Sequence, residues 1–145
     1  MDKTLYYMQK AIEQAEIAAA ENEVPVGAVI VRNDEIVATG RNRREQGKNA
    51  LLHAETDAIY NACQNLGGWR LWNCEIYVTL EPCPMCAGAI LGARIGRVVC
   101  GTRDPAAGAM GPQLTQMKAQ LDATAAQLEA SRQTLESTRT QLEAS

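Results

Sequence analysis

Leu5, Met8, Ala11, Ile12, Ala15, Ile17, Ala18 and Ala19 recur at helical spacing, which predicts an amphipathic first helix from about residue 3 to 22, ended before Pro25. Two short β-rich runs follow, Val26 to Val31 and Ile36 to Thr39. Asn33, Asp34 and Glu35 separate them, so the pair reads as a hairpin. Residues 40 to 52 read as a loop. Ala54, Ala58, Ile59 and Ala62 share one helical face, which predicts a second helix from about His53 through Asn65, closed by Gly67 and Gly68. A third strand is expected over Glu75 to Leu80. After Pro82, a helix opening at Cys83 runs to about Ala93, and Arg97 to Thr102 makes a fourth strand.

Strands alternating with helices in this order require crossover connections. The expected fold is α/β, a mixed sheet of about four strands covered by helices on both faces. In such sheets ligands collect near strand ends where helices begin. From Pro112 onward the pattern changes. Leu114, Leu121, Leu128, Leu135 and Leu142 are spaced by sevens, and LDATAAQ, LEASRQT and LESTRTQ are near-repeats, so a long C-terminal helix with one Leu stripe is expected. The companion core positions are poor in either phase (Met117, Thr124, Ser131, Thr138 or Lys118, Ala125, Arg132, Arg139). That stripe is expected to pack on its own domain or on a partner, with only weak coiled-coil character. The chain therefore divides into a domain over residues 1–111 and a helical tail over 112–145.

With 145 residues the length suits a single core, and the absence of Phe makes that core mainly aliphatic. No apolar run approaches the roughly 20 residues needed to span a bilayer. Met1-Asp2-Lys3-Thr4 lacks the basic-then-apolar order of a signal peptide, so a cytoplasmic location is expected and a membrane partner is not. The formal net charge of −3 excludes a chain-wide attraction for nucleic acid, leaving a local cluster of Arg41, Arg43, Arg44 and Lys48 that charge alone reads as a solvated loop. The five cysteines, 63, 74, 83, 86 and 100, are an odd set, which fits reduced thiols or metal ligands better than a disulfide framework. Cys63, Cys74 and Cys100 read as small buried apolar residues.

The chemistry concentrates in two short segments. His53, the only histidine, stands two residues before Glu55, and Cys83 and Cys86 form a Cys-x-x-Cys turn at a helix start. Positive helix ends favour thiolate there, which serves either zinc binding or thiol redox chemistry. One imidazole and two thiolates leave a tetrahedral zinc one open position, the arrangement of a catalytic site, and no second Cys-x-x-Cys or histidine is available to close it. Water in that position becomes acidic enough to act near neutral pH, and a carboxylate that does not bind the metal can move its proton. Glu55 is the candidate. Residues two apart on a regular helix point about 200° apart at ~100° per residue, so His53 and Glu55 flank one site only if the helix is just beginning.

His53-Ala54-Glu55 together with Pro82-Cys83-Pro84-Met85-Cys86 resembles the signature of the zinc cytidine and nucleobase deaminase superfamily. The finer features resemble its bacterial tRNA-specific adenosine deaminase branch. These are Val24-Pro25-Val26-Gly27-Ala28-Val29, Asn42-Arg43, Leu80-Glu81-Pro82-Cys83, Ala93-Arg94-Ile95-Gly96-Arg97-Val98-Val99, Arg103-Asp104 and Gly108-Ala109. The resemblance covers residues 3 to 111 and implies a three-layer cytidine-deaminase-like fold, one Zn2+ per chain and a homodimer. It also implies hydrolytic conversion of adenosine to inosine in a tRNA anticodon arm or single-stranded nucleic acid. It implies that Asn42 holds the base edge, Val24 lines the pocket, the backbone at Ala54 and Pro82 meets the base, and Asp104 lies by the nucleotide channel. Read without it, Asn42 is a turn residue and Asp104 a loop-end cap. Relatives continue beyond this region with an Asn-His pair, a fifth strand and a terminal helix, for which the repetitive tail has no counterpart.

Three other readings stay open on the sequence. One is a free-base or nucleoside deaminase of guanine or cytosine type. Another is a thioredoxin-like redox module using Cys83 and Cys86, and the last is a helical assembly scaffold built on the Leu stripe.

Overall fold

The computed structural model describes residues 3–102 and 112–144, with side chains described for 3–102 and 123–144. Helix α1 (Thr4–Ala20) precedes the hairpin of β1 (Gly27–Arg32) and β2 (Glu35–Arg41). Asn33 and Asp34 turn it with φ of 52° and 64°, the left-handed pair that a two-residue hairpin loop of right-handed twist needs. Strand β2 runs into the segment expected to be loop, and that segment also holds a short helix, α2 (Arg44–Gly47). Four residues are too few to show a period. Helix α3 (Ala54–Leu66) ends at Gly67, whose φ of 76° supplies the left-handed C-cap. Then come β3 (Cys74–Leu80), α4 (Pro84–Gly92), β4 (Arg97–Thr102) and the long α5 (Pro112–Ala144).

The sheet order is β2-β1-β3-β4. β1 is antiparallel to both of its neighbours, while β3 and β4 are parallel with α4 as the crossover. Alternation on β1 sorts the core into two layers. Ala28 and Ile30 point to the face covered by α3 and α4, among Ala54, Ala58, Ala62, Ile76, Val78 and Ile90. Val29 and Val31 point to the face covered by α1, against Tyr7, Ala11 and Tyr77. The expected three-layer architecture is therefore present.

The buried stripe of α1 is Tyr7, Ala11, Ala15 and Ala18, whereas Leu5, Ile12 and Ile17, expected inside, face solvent. Small residues win because α1 lies almost on the backbone of β1. A Cβ on Gly27 would run into Ala11 O and Ala15 N. Gly40 plays the same part beneath α3, where a Cβ would run into Ala54 O and Ala58 N. Gly40→Ala should cost about 1–3 kcal/mol, read as a lowered midpoint in chemical denaturation, since the clash is with backbone that cannot swing aside. An unchanged midpoint would show that α3 has room to move off the sheet.

On α5 every side chain described, residues 123 to 144, is exposed, including Leu128, Leu135 and Leu142. These three leucines do not pack on the domain, while the side chains of Leu114 and Leu121 lie outside the described residues. Arg132 pairs with Glu129 and Glu136, and Arg139 with Glu143, at i,i+3 and i,i+4 spacing that supports a solvated helix. Cys74 is buried as expected, but Cys63 and Cys100 are only partly so.

Candidate metal centre and base pocket

Both candidate metal segments sit at helix starts. His53 is the N-cap of α3, with extended backbone (φ −81°, ψ 167°), and its N–H donates to the Thr56 hydroxyl at 3.0 Å. Cys83 is the N-cap of α4 with similar dihedrals (φ −74°, ψ 171°). Pro84 opens that helix where a missing N–H costs nothing. Because an N-cap residue is not yet helical, His53 escapes the angular rule that would turn it away from Glu55.

The imidazole Nδ1 lies 3.6 Å from Cys83 Sγ and 3.4 Å from Cys86 Sγ, and the three ligand atoms all fall within 4.8 Å of one another. A tetrahedral zinc with bonds of about 2.3 Å to sulfur and 2.0 Å to nitrogen sets a nitrogen-to-sulfur edge of roughly 3.5 Å. The observed spacing matches that edge, so His53, Cys83 and Cys86 fit a zinc ion. Burial, and after it Arg44, holds the His53 pKa below its usual value, which keeps the ring in its neutral, ligating form. Cys86 is fully buried, and burial, then the nearby Glu55 and Cys83, pushes its thiol well up. Burial also raises the Cys74 thiol; what sets Cys86 apart is its sulfur 3.4 Å from His53 Nδ1, within a three-ligand set.

Glu55 lies next to the triad and is 4% exposed. Burial raises its carboxyl above the ordinary range, partly offset by a backbone hydrogen bond and a contact with Cys86. A carboxylate poised in this way can both take and return a proton.

A cavity of about 160 Å³ opens beside these groups, lined by Val24, Asn42, Ala54 and Glu55 among others. Val24 stands half-exposed at its mouth, while Asn42 is buried. Ala54 is wholly buried, so it meets the cavity next to the His53 imidazole without projecting into it. Pro82 is buried behind the wall, with its neighbours Glu81 and Cys83 forming the lining. Asp104, with Arg103, Gly108 and Ala109, lies outside the described residues.

Sequence reasoning did not single out the acids that hold Asn42 in place. Asp57 accepts the Arg41 N–H and the Arg43 Nε–H through the same oxygen, each at 3.1 Å. Glu23 accepts the N–H groups of Glu45 and Gln46 at 3.0 and 2.8 Å, and Glu21 takes the Arg41 guanidinium at 2.6 and 3.2 Å. Asn42 itself is fixed at both ends, its N–H on Val26 O at 3.2 Å and its Oδ1 accepting the Arg44 N–H at 3.1 Å. The charged cluster at 41 to 48 is therefore not simply a solvated loop.

Residues 1–102 match the cytidine and deoxycytidylate deaminase zinc-binding region. The chain belongs to this family. Among deaminases of known kind, it is 50% identical over 105 residues to a tRNA-specific adenosine deaminase of Bacillus subtilis, covering 72% of this chain and 65% of that one. A solved structure from studies of A-to-I editing by tRNA:A34 deaminases at the wobble position of transfer RNA superposes with a TM-score of 0.74 at 41% identity, covering 76% of this chain and 85% of that one. A guanine deaminase from Bacillus subtilis superposes with a TM-score of 0.68 at 36% identity, covering 71% and 66%. The deaminase fold, the zinc-binding region and the resemblance read from the sequence all agree. No helix among the described residues is long and apolar enough to cross a membrane.

Proposed function

We propose that the chain is a zinc-dependent hydrolytic adenosine deaminase acting on a tRNA anticodon arm or on single-stranded nucleic acid, with residues 1–111 as the catalytic unit and 112–145 as an appended helical tail. The observation that carries it is the convergence of His53, Cys83 and Cys86 beside buried, non-ligating Glu55. His53, Cys83 and Cys86 would hold the zinc. When bound, zinc supplies the Lewis acidity that makes a water nucleophilic near neutral pH. Glu55 takes a proton from that water as its oxygen joins C6 of adenine, and gives it to the ring nitrogen beside that carbon. The same carboxyl then takes the remaining proton from the new C6 hydroxyl, which becomes the carbonyl, and passes it to the departing amine, so adenine and water yield hypoxanthine and ammonia. Asn42 and Val24 orient the base, with the backbone at Ala54 and Pro82 along its edge and Asp104 beside the strand.

The branch is supported by the superposition on the structure from the tRNA:A34 deaminase studies, 41% identical with a TM-score of 0.74, against 36% and 0.68 for the guanine deaminase, and by the 50% identity to a tRNA-specific adenosine deaminase over 105 residues. The redox reading is disfavoured, because His53 Nδ1 rests against both sulfurs and makes with them a three-ligand set that a dithiol pair has no need of. Family resemblance supports a homodimer in the cytoplasm. Zinc-loaded protein incubated with an anticodon arm should produce inosine, and should sediment at twice the chain mass. Guanine turnover with no inosine formed would transfer the site to the other branch.

A further inference from the structure

We infer that Asp57 is a positioning residue, a tether that locks the Asn42 wall of the base pocket to the helix carrying His53 and Glu55. The inference rests on the deaminase reading above for its role in turnover, but its geometry stands alone. Asp57 lies in the first turn of α3, where its N–H donates to His53 O at 3.0 Å. Its side chain is 11% exposed, and one oxygen accepts from Arg41 N and Arg43 Nε, the residues on either side of Asn42. One carboxylate thus joins the residues flanking Asn42 to the first turn of α3, and Asn42 and the start of α3 both line the cavity.

Arg41 N–H sits at the end of β2, where the ladder to β1 closes at the Gly27 and Arg41 pair. Without Asp57 it would need another acceptor or water, and an unpaired buried donor is costly. The buried position of Asp57 is otherwise unexplained. An acid on the sheet-facing side of α3 packs no apolar surface, and α3 already has acidic Glu55 beside its positive end. What Asp57 adds is a charge-assisted, two-donor clasp on the segment that presents Asn42. Glu21 holds the Arg41 guanidinium from α1's end, so the strand terminus is gripped from two elements. α3 also holds β2 further back, through Asn61 Nδ2–H on Thr39 O at 2.8 Å and Asn65 Nδ2–H on Val37 O at 2.8 Å, but Asp57 is the contact that reaches the residues flanking Asn42.

The test compares the zinc-loaded full chain with Asp57→Ala, Asp57→Asn, Arg43→Ala, Asn42→Ala and the Asp57→Ala/Asn42→Ala pair. The ligand is a single-stranded oligonucleotide bearing unsubstituted purine at the target position, which has no amine to lose. Asp57→Ala should keep one zinc per chain and weaken binding roughly tenfold, within the range that contacting residues show in double-mutant cycles. In the Asn42→Ala background the same change should cost nothing further. Asp57→Asn, which keeps an acceptor for Arg41 N–H, should recover most of the loss, and Arg43→Ala should show the smaller half of it. With an adenine oligonucleotide, KM and kcat should both move for Asp57→Ala, since a shifted Asn42 misplaces the base in ground and transition states alike. Amide exchange over residues 41 to 44 should quicken at least severalfold while α3 stays protected.

Equal losses for Asp57→Ala with and without Asn42 would overturn the inference, as would unchanged exchange at 41 to 44. Should Asp57→Ala fail to fold, Arg43→Ala and Asp57→Asn give the same coupling comparison against Asn42→Ala. If the wild-type chain deaminates no base, the functional reading fails by itself, and the exchange and binding arms still decide the tether.

Discussion

Cys86→Ala should abolish deamination and empty the metal site, with zinc per chain falling from one to near none by elemental analysis. Cys86 is the fully buried ligand, seated in the first turn of α4 with its sulfur 3.4 Å from His53 Nδ1. Removing it leaves one imidazole and one half-exposed thiol, two ligands at one corner of a site built for three. The size of the effect follows from what the metal does to water. Zinc would lower the pKa of a bound water far enough to supply hydroxide near neutral pH, so its loss removes nearly all of the nucleophile. No side chain in the pocket can replace that. Cys83→Ala should act in the same direction. The discriminating control is Cys74→Ala, because Cys74 is equally buried but belongs to the core under α3 and α4. That variant should lose stability and keep its zinc. If Cys86→Ala retained a full complement of zinc and activity, the triad would not be the metal centre.

Much of this is legible in the sequence, and the parts that are not share a cause. The β1–β2 hairpin is visible because Asn33-Asp34 can adopt left-handed backbone at low cost. Helix α3 is visible because its apolar face and its Gly67 terminus agree. The metal centre is visible because its ligands lie in two short segments, each with its spacing intact. What stayed hidden depends on partners distant in sequence. Glu23 and Asp57 look like surface acids, yet they are buried because each satisfies donors of the 41–46 segment. Arg43 likewise reads as part of a solvated basic run until Asp57, 14 residues on, is set opposite it. Leu5, Ile12 and Ile17 match a helical period as well as the buried residues do. The choice between stripes is made by Gly27, which allows only small side chains at the closest approach of α1. Short helix α2 has no period to read, and its place is fixed from outside by the Glu23 carboxylate on its first N–H groups.

Glu55→Ala should retain one zinc per chain and lose activity by 10²- to 10⁴-fold or more, the usual contribution of a well-placed proton carrier. The separation of these two readouts is the point. Glu55 is 4% exposed and stands beside the triad, but it is not needed to complete three-ligand coordination by His53, Cys83 and Cys86. Its burial raises its proton affinity above that of an exposed carboxylate, and it stands beside the triad where it can accept a proton and hand it on. Glu55→Gln is the stricter variant. It keeps the shape of the side chain and its hydrogen-bonding reach, and removes only the capacity to carry a proton. If Gln matched Ala in lost turnover while binding the purine oligonucleotide as tightly as wild type, the defect would be proton transfer alone. Loss of zinc in either variant would instead make Glu55 a fourth ligand, filling the corner that the reaction needs for water.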